Sequence, residues 1–492
     1  MGNMMIGSNP GLWGASLGQY APKACSNLSA KASNQAVLLT WKDPEDYTTT
    51  DGYAVEWMCT RILRKTGGYP VDENDGTIVV TSSTRNQYAS TAYTDSGLTN
   101  HTKYYYRAFS CSTDGVYNHE QVQINVTPIP YKTMTVKLNL ANSNPSSIGS
   151  YADDATSMTA GKNVDAWEEF FGYKPCLFKN GKVVGYLKRN DYTKFENGTA
   201  ADITSGNAGD VMIEFPRRGV KISKSGKVVT VSMTDNPNDS SFKYYAHQRG
   251  STNKDYFYLG AYVGYVANGK LRSISGKYPT VSTTLEQFDT YGKANGTGYG
   301  CMGYYQWLFI QVMYILQYKG NLDSQNVHGW GLCAGDTRAS GSGNTKGVMF
   351  GSSNTGQPIK LFGLEDTWGN VYQFVNNYYS NSNYHVTTTT DDTITDTSKY
   401  TDRGSYGGSS YTSGYPTDCM GTTEAGFTGT YGNYNGSSST YFCDYADFGA
   451  NHVPIVGGYY GAGTYDGVFC FYCNYSRGSG SGSYTGSRLG YL

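Results

Sequence analysis

The sequence predicts a mainly β protein with some α: an N-terminal β-sandwich followed by a larger α+β domain at the C-terminal end. Three observations carry this expectation. Gly (62) and Tyr (47) are abundant in the 492 residues while charged residues make up only 16%, a balance that suits strands and turns rather than a coiled coil or an acidic disordered tail. Short period-two runs of apolar residues recur along the chain, the mark of half-buried strands. Only one stretch, 302–318, carries a sustained helical period.

The elements follow in order. Residues 1–20 are rich in Gly and Met, show no periodicity, and read as a lead or attachment peptide. They lack the charged and apolar regions of a secretory signal, and Ile6 stands where the myristoylation pattern needs Ser or Thr. Residues 21–130 hold the runs Val37–Trp41, Ala54–Trp57, Thr77–Val80 and Tyr104–Phe109 and end in Pro128-Ile129-Pro130. Strands of this length and spacing predict an all-β sandwich of about 100 residues. No reactive constellation lies in it, which fits a spacer or docking module.

Residues 131–492 form the second domain. A β-rich lead-in, 131–210, contains Met134–Leu138 and Lys182–Leu187, with a helical turn near Ala166–Phe171. A core, 211–378, opens with Val211–Pro216 and continues through Val220–Ile222, Lys227–Met233 and Tyr256–Tyr262. Its helix places Tyr305, Leu308, Phe309, Val312, Ile315 and Leu316 at 3,4 spacing, an amphipathic pattern with a broad apolar face, and Gly320 stops it. Residues 379–450, poor in aliphatics, read as a long surface-loop insertion. Residues 451–492 close the chain.

Composition excludes several functions. Lys and Arg total 38 against 39 Asp and Glu, without a basic stripe, so no nucleic-acid partner is expected. The most apolar stretch, Tyr304–Tyr318, is too short to span a bilayer, so membrane insertion is not expected. Ten scattered cysteines with one close pair, Cys470-x-x-Cys473, read as reduced or buried thiols rather than a zinc site. None of the six His is paired with Cys or a carboxylate at metal spacing, so no metal, cofactor or catalytic residue is expected. Gly341–Gly347 resembles a phosphate loop superficially but lacks its spacing and reads as a flexible turn.

Two segments carry a family resemblance. Val37–Pro44 with Tyr104–Phe109 resembles a fibronectin type III (Ig-like) module, with Trp41 in the core. At the C-terminal end, Phe362-Gly-Leu-Glu-Asp-Thr-Trp-Gly-Asn-Val371, then Gly457-Gly458, then Gly486-Ser487-Arg488 resembles the C-type-lectin-like fold. That fold is shared by formylglycine-generating enzymes and by the variable proteins of diversity-generating retroelements, the latter including phage tail receptor-binding proteins. The enzyme branch needs a copper-binding cysteine pair leading into the penultimate strand. Gly461–Gly467 has no cysteine, and Cys470 and Cys473 fall later.

The variable branch implies a signature in the letters. Adenine-directed mutagenesis of Asn codons cannot yield Lys, Glu, Gln, Met or Trp, and residues 459–492 contain none of these. They hold seven Tyr, five Ser and eight Gly, the residue types of an antibody-like contact surface. The resemblance implies a fixed framework of Gly457, Gly458, Val468, Phe469, Gly486, Arg488 and Leu489, with Arg488 in a buried hydrogen-bonding role. It leaves Tyr459, Tyr460, Thr464, Tyr465, Asp466, Cys470, Tyr472, Tyr475 and Tyr484 as the solvent-facing ligand-binding set. The expectation is a virion protein of a phage or prophage tail, a homotrimer alongside other tail proteins. It would bind a host cell-surface receptor, protein or glycan, and would not be an enzyme. The alternatives are a static tail protein of the same fold and an enzyme of the formylglycine-generating type.

Overall fold

A computed structural model describes residues 20–492, so the lead-peptide expectation for 1–20 falls, Tyr20 apart, outside the described residues. The protein is mainly β with some α, 39% strand and 10% helix. It divides into two compact units at Tyr131/Lys132.

In the first unit, Ser26–Ser33, Ala36–Lys42 and Tyr93–Ser96 form one antiparallel sheet, and Thr77–Ser82, Trp57–Thr66, Tyr104–Ser112 and Gln123–Val126 form a second. The period-two pattern explains the core between them. Val37, Leu39 and Trp41 from one sheet and Ile62, Tyr106 and Ala108 from the other form a single buried cluster. Asp95 ties the sheets together, accepting from Arg64 Nη1 at 2.6 Å and from the Tyr106 hydroxyl at 2.7 Å. Tyr104 accepts the backbone N–H of Thr99 through its hydroxyl at 3.0 Å, fixing the corner that leads into its strand.

In the second unit three larger sheets pack around the longest helix, beside smaller sheets and shorter helices. A seven-stranded sheet runs Asp191–Phe195, Lys182–Lys188, Lys174–Lys179, Asp210–Pro216, Tyr256–Gly260, Leu489–Tyr491, Tyr299–Cys301. A six-stranded sheet runs Thr412–Gly414, Ala446–Phe448, Gly467–Tyr475, Val453–Gly457, Tyr372–Phe374, Thr485–Ser487. A four-stranded sheet holds Gly149–Asp153, Thr133–Asn139, Val228–Thr234 and Gly219–Ser225. The lead-in strands Lys174–Lys179 and Lys182–Lys188 are thus part of the core sheet, because Lys174–Phe178 pairs directly with Asp210–Glu214.

The helix Tyr304–Gln317 is buried around its whole circumference, not on one face as its amphipathic pattern predicts. Two of its amide groups donate across the core, while Trp307 Nε1, the Tyr314 hydroxyl and Gln317 Oε1 have no partner among the described residues. Gln311 Nε2 donates to Val468 O at 2.9 Å and Gln317 Nε2 to Gly161 O at 3.0 Å, so burial does not leave these amide donors unpaired. Gly320 ends it in the left-handed region (φ 71°), donating its N–H to Ile315 O at 2.7 Å.

The insertion is the clearest departure from expectation. Residues 379–450 do not form loose surface loops. Tyr406, Cys419, Phe427, Phe442 and Phe448 join the main core, and Phe427 and Phe442 pack on Phe469 at 5.7 and 5.3 Å. Asp418 accepts from both Lys224 and Lys227, at 2.6 and 3.0 Å. A few buried aromatic rings do here what aliphatic side chains do elsewhere.

Candidate ligand-binding face

The framework of the C-terminal segment is built around Arg488. Ser487 ends the last strand of the six-stranded sheet and Leu489 begins the last strand of the seven-stranded one, so Arg488 sits where the two sheets are joined. It is 1% exposed. Its guanidinium donates to Gln373 Oε1 (2.9 Å), Gly260 O (2.7 Å), Glu365 O (2.8 Å) and Asp366 O (3.3 Å). Burial lowers its pKa to about 10, opposed by nearby Asp366 and Glu365.

The 362–371 block supplies the other half of this junction. Asn370 adopts φ 61°. Its amide donates to Asp366 Oδ2 at 2.9 Å and Arg338 O at 3.0 Å and accepts from Arg338 N at 2.9 Å. Trp368 Nε1 donates to Gly329 O at 3.0 Å. The Gly341–Gly347 segment is a turn, as expected, and its backbone is tied down. The N–H groups of Gly341 and Gly343 donate to the two Glu365 carboxylate oxygens at 2.6 and 2.8 Å, so the anion this glycine loop cradles is the protein's own.

The glycine pair is explained by close approach. Gly457 and Gly458 both have positive φ (86° and 85°), and a Cβ on Gly458 would lie 1.8 Å from Asp466 Oδ1. That carboxyl accepts the N–H of Tyr459 at 3.1 Å, which sets the direction in which the chain leaves the strand.

On this framework the tyrosines converge. Tyr372 stacks on Tyr459 (5.2 Å, 27°) and meets Tyr472 at 5.3 Å. Tyr459 meets Tyr484 at 4.6 Å and Tyr460 at 5.2 Å. Tyr445 stacks on Tyr465 (4.6 Å, 30°) and on Tyr472 (5.6 Å, 24°), and Tyr415 closes on Tyr445 at 5.4 Å. Together these rings form one continuous aromatic face. An open depression lies beside it, lined by Cys333–Gly335, Tyr459, Tyr460 and Tyr484. Tyr475 packs instead on Phe374 at 5.7 Å.

Seven of the nine sequence-chosen positions reach this surface or its margin. Thr464 and Tyr465 are exposed, and Tyr459, Tyr460, Tyr472, Tyr475 and Tyr484 are half-buried. Asp466 and Cys470 are corrections, since both are fully buried. Asp466 turns inward to hold Tyr459, and Cys470 lies on the central strand Gly467–Tyr475, flanked by strands on both sides. Tyr415 and Tyr445 also belong to the face, Tyr372 packs beneath it at 5% exposure, and exposed Tyr411 reaches its margin through Asp447; the sequence reading missed all four. Tyr411 and Tyr415 sit in the Tyr/Ser/Gly-rich stretch read as loop, and that composition was the available signal.

Beneath the face lie buried carboxyls. Asp444 accepts Phe469 N at 2.7 Å, and burial holds its carboxyl well above the usual range. Asp447 accepts from Asn474 Nδ2 at 2.6 Å and from the Tyr411 hydroxyl at 3.1 Å, bridging the insertion and the terminal segment. Burial raises Asp447 to about 7. A folded-state pKa above the unfolded value gives stability that is full below pH ~4 and is lost as pH rises through ~7, at up to about 1.4 kcal/mol per pH unit. Buried His247 and His328, both lowered to about 3, oppose this below pH ~6.5. The comparison with Asp447→Asn isolates the carboxyl. Thermal unfolding from pH 4.5 to 7.5 should show the wild type losing ground to Asp447→Asn as pH rises.

All ten cysteines are buried and unpaired. Cys470 and Cys473 belong to different core clusters on opposite faces of their strand, and burial pushes both thiols up. Among the described residues no cluster of three His, Cys, Asp or Glu has metal-binding geometry, and no helix is long and apolar enough to cross a membrane. The chain matches no protein-family model and no curated protein in the comparisons made.

Proposed function

We propose that this protein is a receptor-binding protein of a phage or prophage tail, with a C-terminal face diversified by a retroelement. The observation that carries the reading is the convergence of the terminal tyrosines on one aromatic face, over a framework closed by Arg488. Large, stiff, amphipathic rings lose little conformational entropy on binding, and flanking Ser, Gly and Asn adapt their hydrogen bonds. The separation of a buried frame (Gly457, Gly458, Val468, Phe469, Arg488, Leu489) from outward tyrosines is what a surface needs if it is to vary without unfolding.

The same account treats the first unit as a fibronectin-like spacer, supported by its three- and four-stranded sheets and the Tyr104 corner. It places the protein in the virion as a homotrimer with other tail proteins, and several copies per particle would raise modest single-site affinity through effective concentration. Recognition is favoured over cysteine-dependent catalysis because Cys470 and Cys473 face opposite ways with raised pKa values.

The test is adsorption. Fluorescently labelled protein is mixed with bacteria from its source community and bound cells are sorted and identified. A narrow subset of hosts, lost on Tyr465→Ser with Tyr460→Ser, is expected. Uniform or absent adsorption would leave the static tail protein as the better account.

A further inference from the structure

Resting on that receptor reading, we infer that the ligand of the tyrosine face is a neutral glycan, a chain of uncharged sugar units. Residues 459–492 contain three formally charged side chains, Asp466, Arg477 and Arg488, and all are at most 9% exposed. The acids under the face, Asp444, Asp447 and Asp466, are buried as well, and their raised pKa values favour the neutral form. Charged groups reach only the rim, where Asp336 and Arg338 are exposed beyond Gly335 and Glu286 lies beside Gly478.

An anionic polysaccharide or phosphorylated headgroup finds no array of cations here, and such ligands are held by clustered Arg and Lys. A basic protein patch finds exposed carboxylates only at the rim, in Asp336 and Glu286, and none on the face itself.

What the face does offer is planar and hydroxylated. Among the described residues the hydroxyls of Tyr459, Tyr460 and Tyr465 have no hydrogen-bond partner, exposed Ser483 adds another, and exposed Thr464 shares its hydroxyl with Tyr415. A hydroxyl both donates and accepts, so this array matches the hydroxyls of a sugar ring. The electron-rich faces of the tyrosines match the C–H groups on the ring's flat side. The depression between Tyr459, Tyr460, Tyr484 and the Cys333–Gly335 segment gives such a chain a place to lie against two tilted rings.

Host cells that bind the protein are treated in parallel with periodate, which cleaves vicinal diols, or with a broad-specificity protease. Binding is then measured between low and high salt, and the purified protein is probed on an array of neutral and acidic oligosaccharides. The inference expects binding lost after periodate, kept after protease and little changed by salt, with array signals confined to neutral chains. Tyr459→Phe and Tyr465→Phe, which keep the ring and lose the hydroxyl, should each weaken binding about tenfold. Binding lost to protease and kept after periodate would overturn the glycan and leave the receptor reading standing. A steep fall with salt, or signals on acidic chains, would overturn the neutral-ligand claim. Absence of cell binding before any treatment would remove the reading on which it rests.

Discussion

Replacing Arg488 with Ala will destabilise the C-terminal unit by about 3–5 kcal/mol, because several buried acceptors lose their donor at roughly 1–3 kcal/mol each before relaxation. The loss comes from four acceptors at once, in Gln373, Gly260, Glu365 and Asp366, at the point where two sheets join. Arg488→Lys should recover only part of it, because an ammonium is a compact point donor and cannot reproduce the planar fork. Urea unfolding measures both. Lys399→Ala, at a lysine whose side chain is 69% exposed, serves as the control. A midpoint for Arg488→Ala no lower than the control's would mean that the junction does not depend on this side chain.

Tyr460→Ser and Tyr465→Ser will change stability by no more than about 1.5 kcal/mol, the loss of an outer ring–ring contact. Host binding should fall ten- to a hundredfold, the loss expected when aromatic anchors are truncated. Cys470→Tyr will behave in the opposite way. Its thiol is fully buried in a packed cluster, and forcing a ring into that space costs roughly 1–3 kcal/mol or more, so binding falls because the fold is lost. Melting curves and adsorption assays on the three variants separate the two behaviours. Equal destabilisation by all three would show that the outer tyrosines are core residues.

Several elements could be read from the letters because a local pattern sufficed. The helix near 302–318 announces itself by its apolar period and the following glycine. The sandwich strands show their alternation directly, with Val37, Leu39 and Trp41 inward. The Arg488 framework followed from resemblance, and its four acceptors explain why an arginine fits there. Asp466 and Cys470 were misread because their burial depends on neighbours far away in sequence. Gly467–Tyr475 turns one face to each of two core clusters, Cys470 to one and Cys473 to the other, and a strand covered on both faces loses its alternation. The insertion was misread because its core is made of Tyr and Phe spaced irregularly, which no period reveals. Tyr445 belongs to the face through its stacking on Tyr465, a pairing fixed only in three dimensions.

The most direct test of the central claim is to sequence the gene and its flanks across many genomes from one source population. The account predicts a near-copy of the 459–492 coding segment beside a reverse transcriptase gene. Substitutions should fall at template adenines and concentrate at Tyr459, Tyr460, Thr464, Tyr465, Tyr472 and Tyr484. Gly458, Asp466, Cys470 and Arg488, which the structure buries, should stay constant. An invariant terminus without a nearby template, or substitutions spread evenly over buried and exposed codons, would contradict it.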